Sequence, residues 1–180
     1  MKNILYTLAL IVCFSSFGQT AREYLDIGDK KAESDDIYGA ITYFTLAIEK
    51  SPQWHYPYFR RGVQKYEIGD YENALKDFLK SVNLKPDFND FIPVYNWIAN
   101  CKVSMRDYYG AITYLTIQID KLELNSNSSN SELAALYWSR ALHKDNLGDI
   151  KGACPDYKKA ITLGYSLPSS EVKYIKEQCK

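Results

Sequence analysis

The stretch DIYGAITYFTLAIEK at residues 36–50 returns as DYYGAITYLTIQIDK at residues 107–121. Aligned on Ala40 and Ala111, two further copies come into register: GDYENALKDFLKSVNLKP with Ala74, and GDIKGACPDYKKAITLG with Ala153. The alanines lie 34 (40 to 74), 37 (74 to 111) and 42 (111 to 153) residues apart. A period of 34 is that of a two-helix unit, which buries its apolar face by stacking on its neighbours. Four units predict an all-α stack.

Each unit carries a small residue in a first helix (Gly28, Gly62, Ala99, Ala141) and another twelve positions on in a second (Ala40, Ala74, Ala111, Ala153). Small residues on facing helices let two backbones approach. Four residues after each alanine a large side chain follows on the same face, namely Phe44, Phe78, Leu115 or Tyr157. Pro52 and Pro86 end the second helices of the first two units, because proline disfavours the helical conformation of the residue before it.

These features resemble the tetratricopeptide repeat family over nearly the whole chain after residue 18. In the second unit, Tyr58, Gly62, Tyr66, Ala74, Phe78 and Pro86 match the family pattern, while Arg61, Lys65 and Ser81 depart from it. The third unit lacks the turn glycine and the closing proline. The resemblance implies a right-handed α-solenoid of four helix-turn-helix units, at about 21–54, 55–88, 92–125 and 134–167, with a capping helix at 169–179.

Two positions switch together between units. One residue before the small residue of the first helix stand Ile27 and Ile98 in units one and three, but Arg61 and Arg140 in units two and four. One residue before the large side chain stand Tyr43 and Tyr114, but Asp77 and Asp156. Antiparallel helices bring these positions together, so Arg61 is expected to pair with Asp77 and Arg140 with Asp156. The alternation points to duplication of a two-unit block, with the extra residues of the second block near NSNSSNS, 125–131, read as a solvated loop. The glycosylation sequon at Asn127 is a weak signal beside that reading.

The segment SLPSSEVKYIKEQCK predicts a last helix capped by Ser170, with Val172, Ile175 and Cys179 on one face. Such a helix covers the end of a stack. It places Cys179 level with Cys154 on the preceding helix, and a disulfide between them is expected; two buried thiols are the alternative.

The start of the chain, MKNILYTLALIVCFSSFGQ, has one Lys and an apolar run from Ile4 to Phe14. This reads as a signal peptide over residues 1–18, cleaved after Gly18, because a run of that length reaches about half of a ~30 Å hydrocarbon core. Lipid attachment at Cys13 is the competing reading, weakened by the bulk of Val12. Export, to the periplasm or envelope of a Gram-negative bacterium or beyond it, means an oxidising compartment with Cys101, Cys154 and Cys179 in the mature chain, which keeps no transmembrane anchor. With 22 basic and 22 acidic residues no net field draws the chain to nucleic acid or an anionic membrane.

The sequence offers no catalytic constellation. His55 and His143 stand in different units without ligands at metal spacing, and no phosphate loop or nucleophile elbow occurs. No cofactor is expected. ESDD at 33–36 reads as a helix start, and Cys101 as a buried thiol with reactivity a minor alternative. The family resemblance implies instead that first helices line a concave groove for a protein or peptide. The matching positions are Leu25 and Asp29; Tyr56, Phe59, Val63 and Tyr66; Asn96 and Asn100; and Trp138, Leu142 and Asp145. The expected function is non-enzymatic partner binding in that groove. The alternative is a structural or assembly subunit that uses its ends or convex face.

Overall fold

The computed structural model describes residues 19–85, 92–125 and 128–179. The expected signal peptide, Cys13, Pro86 and Asn127 lie outside them. Among the described residues are nine helices and no strand: α1 (Ala21–Glu33), α2 (Ile37–Lys50), α3 (His55–Glu67), α4 (Tyr71–Leu84), α5 (Ile92–Ser104), α6 (Tyr108–Leu124), α7 (Asn130–Asn146), α8 (Ile150–Thr162) and α9 (Ser169–Gln178). The chain divides between Gln53 and Trp54 into two compact units.

The first unit is the α1–α2 pair. Leu25 and Gly28 of α1 are buried with Ala40, Phe44, Ala47 and Ile48 of α2. A Cβ on Gly28 would stand 2.5 Å from the Phe44 ring, so the glycine is what lets the helices close. Thr20 and Glu23 start α1 with a capping box.

In the second unit α3 and α4 repeat this contact, with a Cβ on Gly62 falling 2.8 Å from Phe78. Ser81, where the family pattern has alanine, is fully buried and donates from its hydroxyl to the His55 carbonyl (3.0 Å), which ties the two helices at that end. The core continues through Phe78, Val94 and Ile98, then Leu115, Ile119, Leu133 and Tyr137, and ends at Tyr157, Ile175 and the Cys154–Cys179 disulfide (Cα–Cα 5.4 Å).

The turns inside the four pairs share one construction. Asp36, Asp70, Asp107 and Asp149 cap the second helices, accepting from the backbone N–H of Gly39, Asn73, Gly110 and Gly152. The bond is 3.0, 2.8 and 2.9 Å to the three glycines and 3.4 Å to Asn73. A Cβ on any of the three glycines would press on the capping carboxylate, which accounts for the glycine of the repeated YGA. One residue before each cap the backbone takes a positive φ, at Asp35 (62°), Gly69 (79°), Arg106 (61°) and Gly148 (79°). The third unit therefore keeps the glycine conformation with an arginine in it.

Two boundaries differ from expectation. The fourth unit starts at Asn130 rather than 134, because the Ser129 hydroxyl accepts from the Ser131 N–H (3.2 Å) and caps α7; the end of the Ser/Asn tract is helix, not loop. In α9 the capping position falls on Pro168, and Ser170 lies within the first turn.

Candidate functional site

The switching positions form two buried charge clusters. Arg61 donates Nε and Nη2 to the two oxygens of Asp77 (2.8 and 2.7 Å), and Arg140 does the same to Asp156 (2.8 and 2.6 Å). Each aspartate takes a further hydrogen bond from a lysine one turn on, Lys65 at 2.7 Å and Lys144 at 2.8 Å. The Arg140 cluster extends to Thr116 and to the Gly152 carbonyl. Burial pushes the Asp156 carboxyl up, but the hydrogen bonds from Arg140 and Lys144 outweigh it and hold the group below the usual carboxylate range. Lysine recurs at this position in all four pairs. In the pairs without an Arg/Asp switch, Lys31 and Lys102 reach the capping Asp36 (2.8 Å) and Asp107 (2.9 Å). These clusters are framework.

The residues matched to a groove lining separate into classes. Leu25 is 1% exposed and belongs to the core of the first unit, which corrects its assignment to a binding surface. It stands three residues before Gly28, on the helix face that meets Phe44. Asp29 is half-buried on α1. On α3, Tyr56, Phe59, Val63 and Tyr66 are half-buried around Phe78 and Ile98. The Phe59 ring lies 6.2 Å from Tyr56 and 5.9 Å from Phe78, and Tyr66 sits edge-on to Trp97 at 5.2 Å. These aromatics seat consecutive helices on one another. On α5, Asn96 is exposed and Asn100 half-buried; on α7, Leu142 is 42% exposed.

Trp138 and Asp145 of α7 do meet at one place. Together with Ile150 and Tyr157 of α8, and Glu171, Ile175, Gln178 and Cys179 at α9, they line an open recess of about 210 Å³. Trp138 stacks on Tyr165 (5.0 Å, 14° between planes) and tilts on Tyr157 (4.9 Å), which fixes its ring. The Tyr157 hydroxyl donates to Asp145 Oδ2 at 3.3 Å. The disulfide holds the α9 wall, since Cys179 is both its partner and part of the lining. Ile150, Glu171 and Gln178 were not read as site residues. Glu171 and Gln178 are polar positions on the covering helix beside an apolar stripe and Ile150 is the first residue of α8, signals that any surface helix shows.

The remaining reactive groups are quiet. The free Cys101 thiol is buried and pushed up to about 12 by that burial, so it is not a nucleophile at neutral pH. His143 is buried against Tyr108 (5.9 Å), and burial lowers its pKa; burial and the nearby Lys85 do the same to His55. Among the described residues no group of His, Cys, Asp and Glu could hold a metal ion, and no helix is long and apolar enough to cross a membrane.

Residues 57–88 match the family model described as tetratricopeptide repeat. The protein named Protein STIP1 homolog of Dictyostelium discoideum is 33% identical over 75 residues, 42% of this chain and 13% of that protein. A UDP-N-acetylglucosamine–peptide N-acetylglucosaminyltransferase of Giardia intestinalis is 30% identical over 78 residues, 43% of this chain and 5% of that enzyme. The chain thus corresponds to a small part of either relative. In fold it is similar to the crystal structure of MamA (TM-score 0.71, 23% identity, 90% of this chain and 91% of that one). It is also similar to the TPR2B domain of yeast Sti1, solved in complex with pHsp70 (TM-score 0.60, 23% identity, 68% of this chain and 96% of that one).

Proposed function

We propose that this chain, a tetratricopeptide repeat protein, is a non-enzymatic interaction module that holds a partner protein or peptide along the first helices of its repeats. The observation that carries this reading is the open recess at Trp138 and Asp145, on a first helix, beside the exposed Leu142. A fixed aromatic next to exposed apolar surface is the usual anchor of an interface. The Sti1 domain of the same fold was solved with a partner, which supports the class of function. The reading includes export to a periplasm or envelope, for which the apolar run before Gly18 and the Cys154–Cys179 disulfide are the support.

A second reading, an assembly subunit that binds through its outer helices, draws on Tyr38 and Tyr109. They are 72% and 74% exposed at matching positions of α2 and α6. Affinity capture from an envelope extract, followed by mass spectrometry, separates the two. Leu142→Asp with Asn100→Ala should abolish retention of the specific partner while Tyr38→Ala with Tyr109→Ala leaves it intact. The opposite pattern supports the assembly subunit.

A further inference from the structure

We propose that the recess between α7, α8 and α9 receives a basic side chain, lysine or arginine, of the bound peptide. This rests on the peptide-binding reading above and adds the chemistry of the residue that is gripped. The walls are apolar, made by Trp138, Ile150, Tyr157 and Ile175, and two acidic residues, Asp145 and Glu171, belong to the lining; among the described residues no basic one does. Lys144, the residue before Asp145, is engaged with Asp156 and the Gly152 carbonyl, and Lys158, the residue after Tyr157, with the Cys179 carbonyl (2.8 Å). Asp145 accepts from the neutral Tyr157 hydroxyl, and among the described residues no salt bridge neutralises Asp145 or Glu171.

That combination selects among occupants. An acidic side chain would meet two like charges. A purely apolar one would cover two carboxylates without replacing their water, which is unfavourable. A lysine or arginine lays its methylene stem along the apolar wall and keeps its charged head for the carboxylates. Trp138, held by Tyr165 and Tyr157, gives the stem a fixed apolar wall. The disulfide at Cys179 keeps the carboxylate-bearing helix in place, so the oxidised protein is the competent form.

The test uses blocked pentapeptides of alanine with lysine, norleucine or glutamate at the centre, titrated into the oxidised protein. The readout is the Trp138 indole N–H resonance, identified by its loss in Trp138→Phe. The lysine peptide should shift it saturably, and norleucine should bind about fivefold more weakly, the scale of a cation held by exposed carboxylates. Glutamate should leave it unmoved. Glu171→Gln, which alters no contact of the core, should weaken the lysine peptide to the norleucine level; Asp145→Asn should act in the same direction. Equal binding of norleucine and lysine, preference for glutamate, full affinity in Glu171→Gln, or no shift with any peptide would each overturn the proposal. The broader reading has its own test, partner capture with Leu142→Asp and Asn100→Ala, which does not depend on which peptide the recess prefers.

Discussion

Lys65 and Asp77 meet at 2.7 Å across the α3–α4 pair, whereas the lysine in the same place one unit later, Lys102, meets the helix cap Asp107 at 2.9 Å. One side-chain position serves two different anchors. What decides between them is the residue opposite, an aspartate in α4 and α8 and a tyrosine in α2 and α6.

Removing Asp77 takes from Arg61 and Lys65, 16% and 18% exposed, the carboxylate they share. Asp77→Ala is expected to cost about 3–5 kcal/mol, the range for a buried pair broken from one side. In a double-mutant cycle with Arg61→Ala, urea denaturation should show coupling of about 0.5–3 kcal/mol. Additive losses would refute a direct pairing.

Arg106 occupies a left-handed conformation that Gly69 and Gly148 take in the neighbouring turns. Such a conformation costs a side-chain-bearing residue about 1–2 kcal/mol. Arg106→Gly should therefore raise stability, by up to about 1 kcal/mol once the looser unfolded chain is counted, and Gly148→Ala should lower it by at least that much. Thermal melts of the two variants run in opposite directions if the turns are equivalent.

Burial lowers the pKa of His143 and contributes the same way at His55. As pH falls through about 6.5 the unfolded imidazoles take up protons while the native ones stay neutral, so stability declines from there down to the lowered native values. Above pH 7 the histidines contribute no slope. The carboxylates of Asp156, Asp36 and Asp107 are held low and lose their contribution only in more acidic solution. Urea midpoints at pH 7.5 and 5.5 should differ in the wild type and differ less in His143→Phe.

Reduction of Cys154–Cys179 opens a loop of sequence separation 25 and is expected to cost about 3 kcal/mol. Hydrogen exchange should show loss of protection concentrated in α9. Dithiothreitol should leave the melting temperature of Cys154→Ser/Cys179→Ser unchanged.

Much of the frame was legible in the sequence because it is periodic. Gly28 with Phe44 and Gly62 with Phe78 recur at fixed spacing, and Arg61/Asp77 announced itself by switching in step with Arg140/Asp156. Lys65 stands out in the sequence as a departure from the family pattern, but its recurrence as Lys31, Lys102 and Lys144, at the same spacings of 34, 37 and 42, carries no partner signal, since a position that never varies gives no contrast inside the chain. Phe59 and Trp138 occupy equivalent places, three residues before the small residue, and each ring packs on the large side chain of its second helix, Phe78 or Tyr157, yet Trp138 also borders a recess. The helix that follows differs: α5 sets Trp97 against Phe78, whereas the shorter α9 sets Glu171, Ile175 and Gln178 around the recess. Local pattern does not record it.

The bridge between α8 and α9 also gives the molecule a direction. A stacked array loses order from its less secured end, where a repeat has a neighbour on one side alone. With α9 fastened covalently to α8, fraying of the second unit under heat or pulling should begin at its α3–α4 end. A machine that pulls on the chain would then meet more resistance at the α8–α9 end of this unit than at its α3–α4 end.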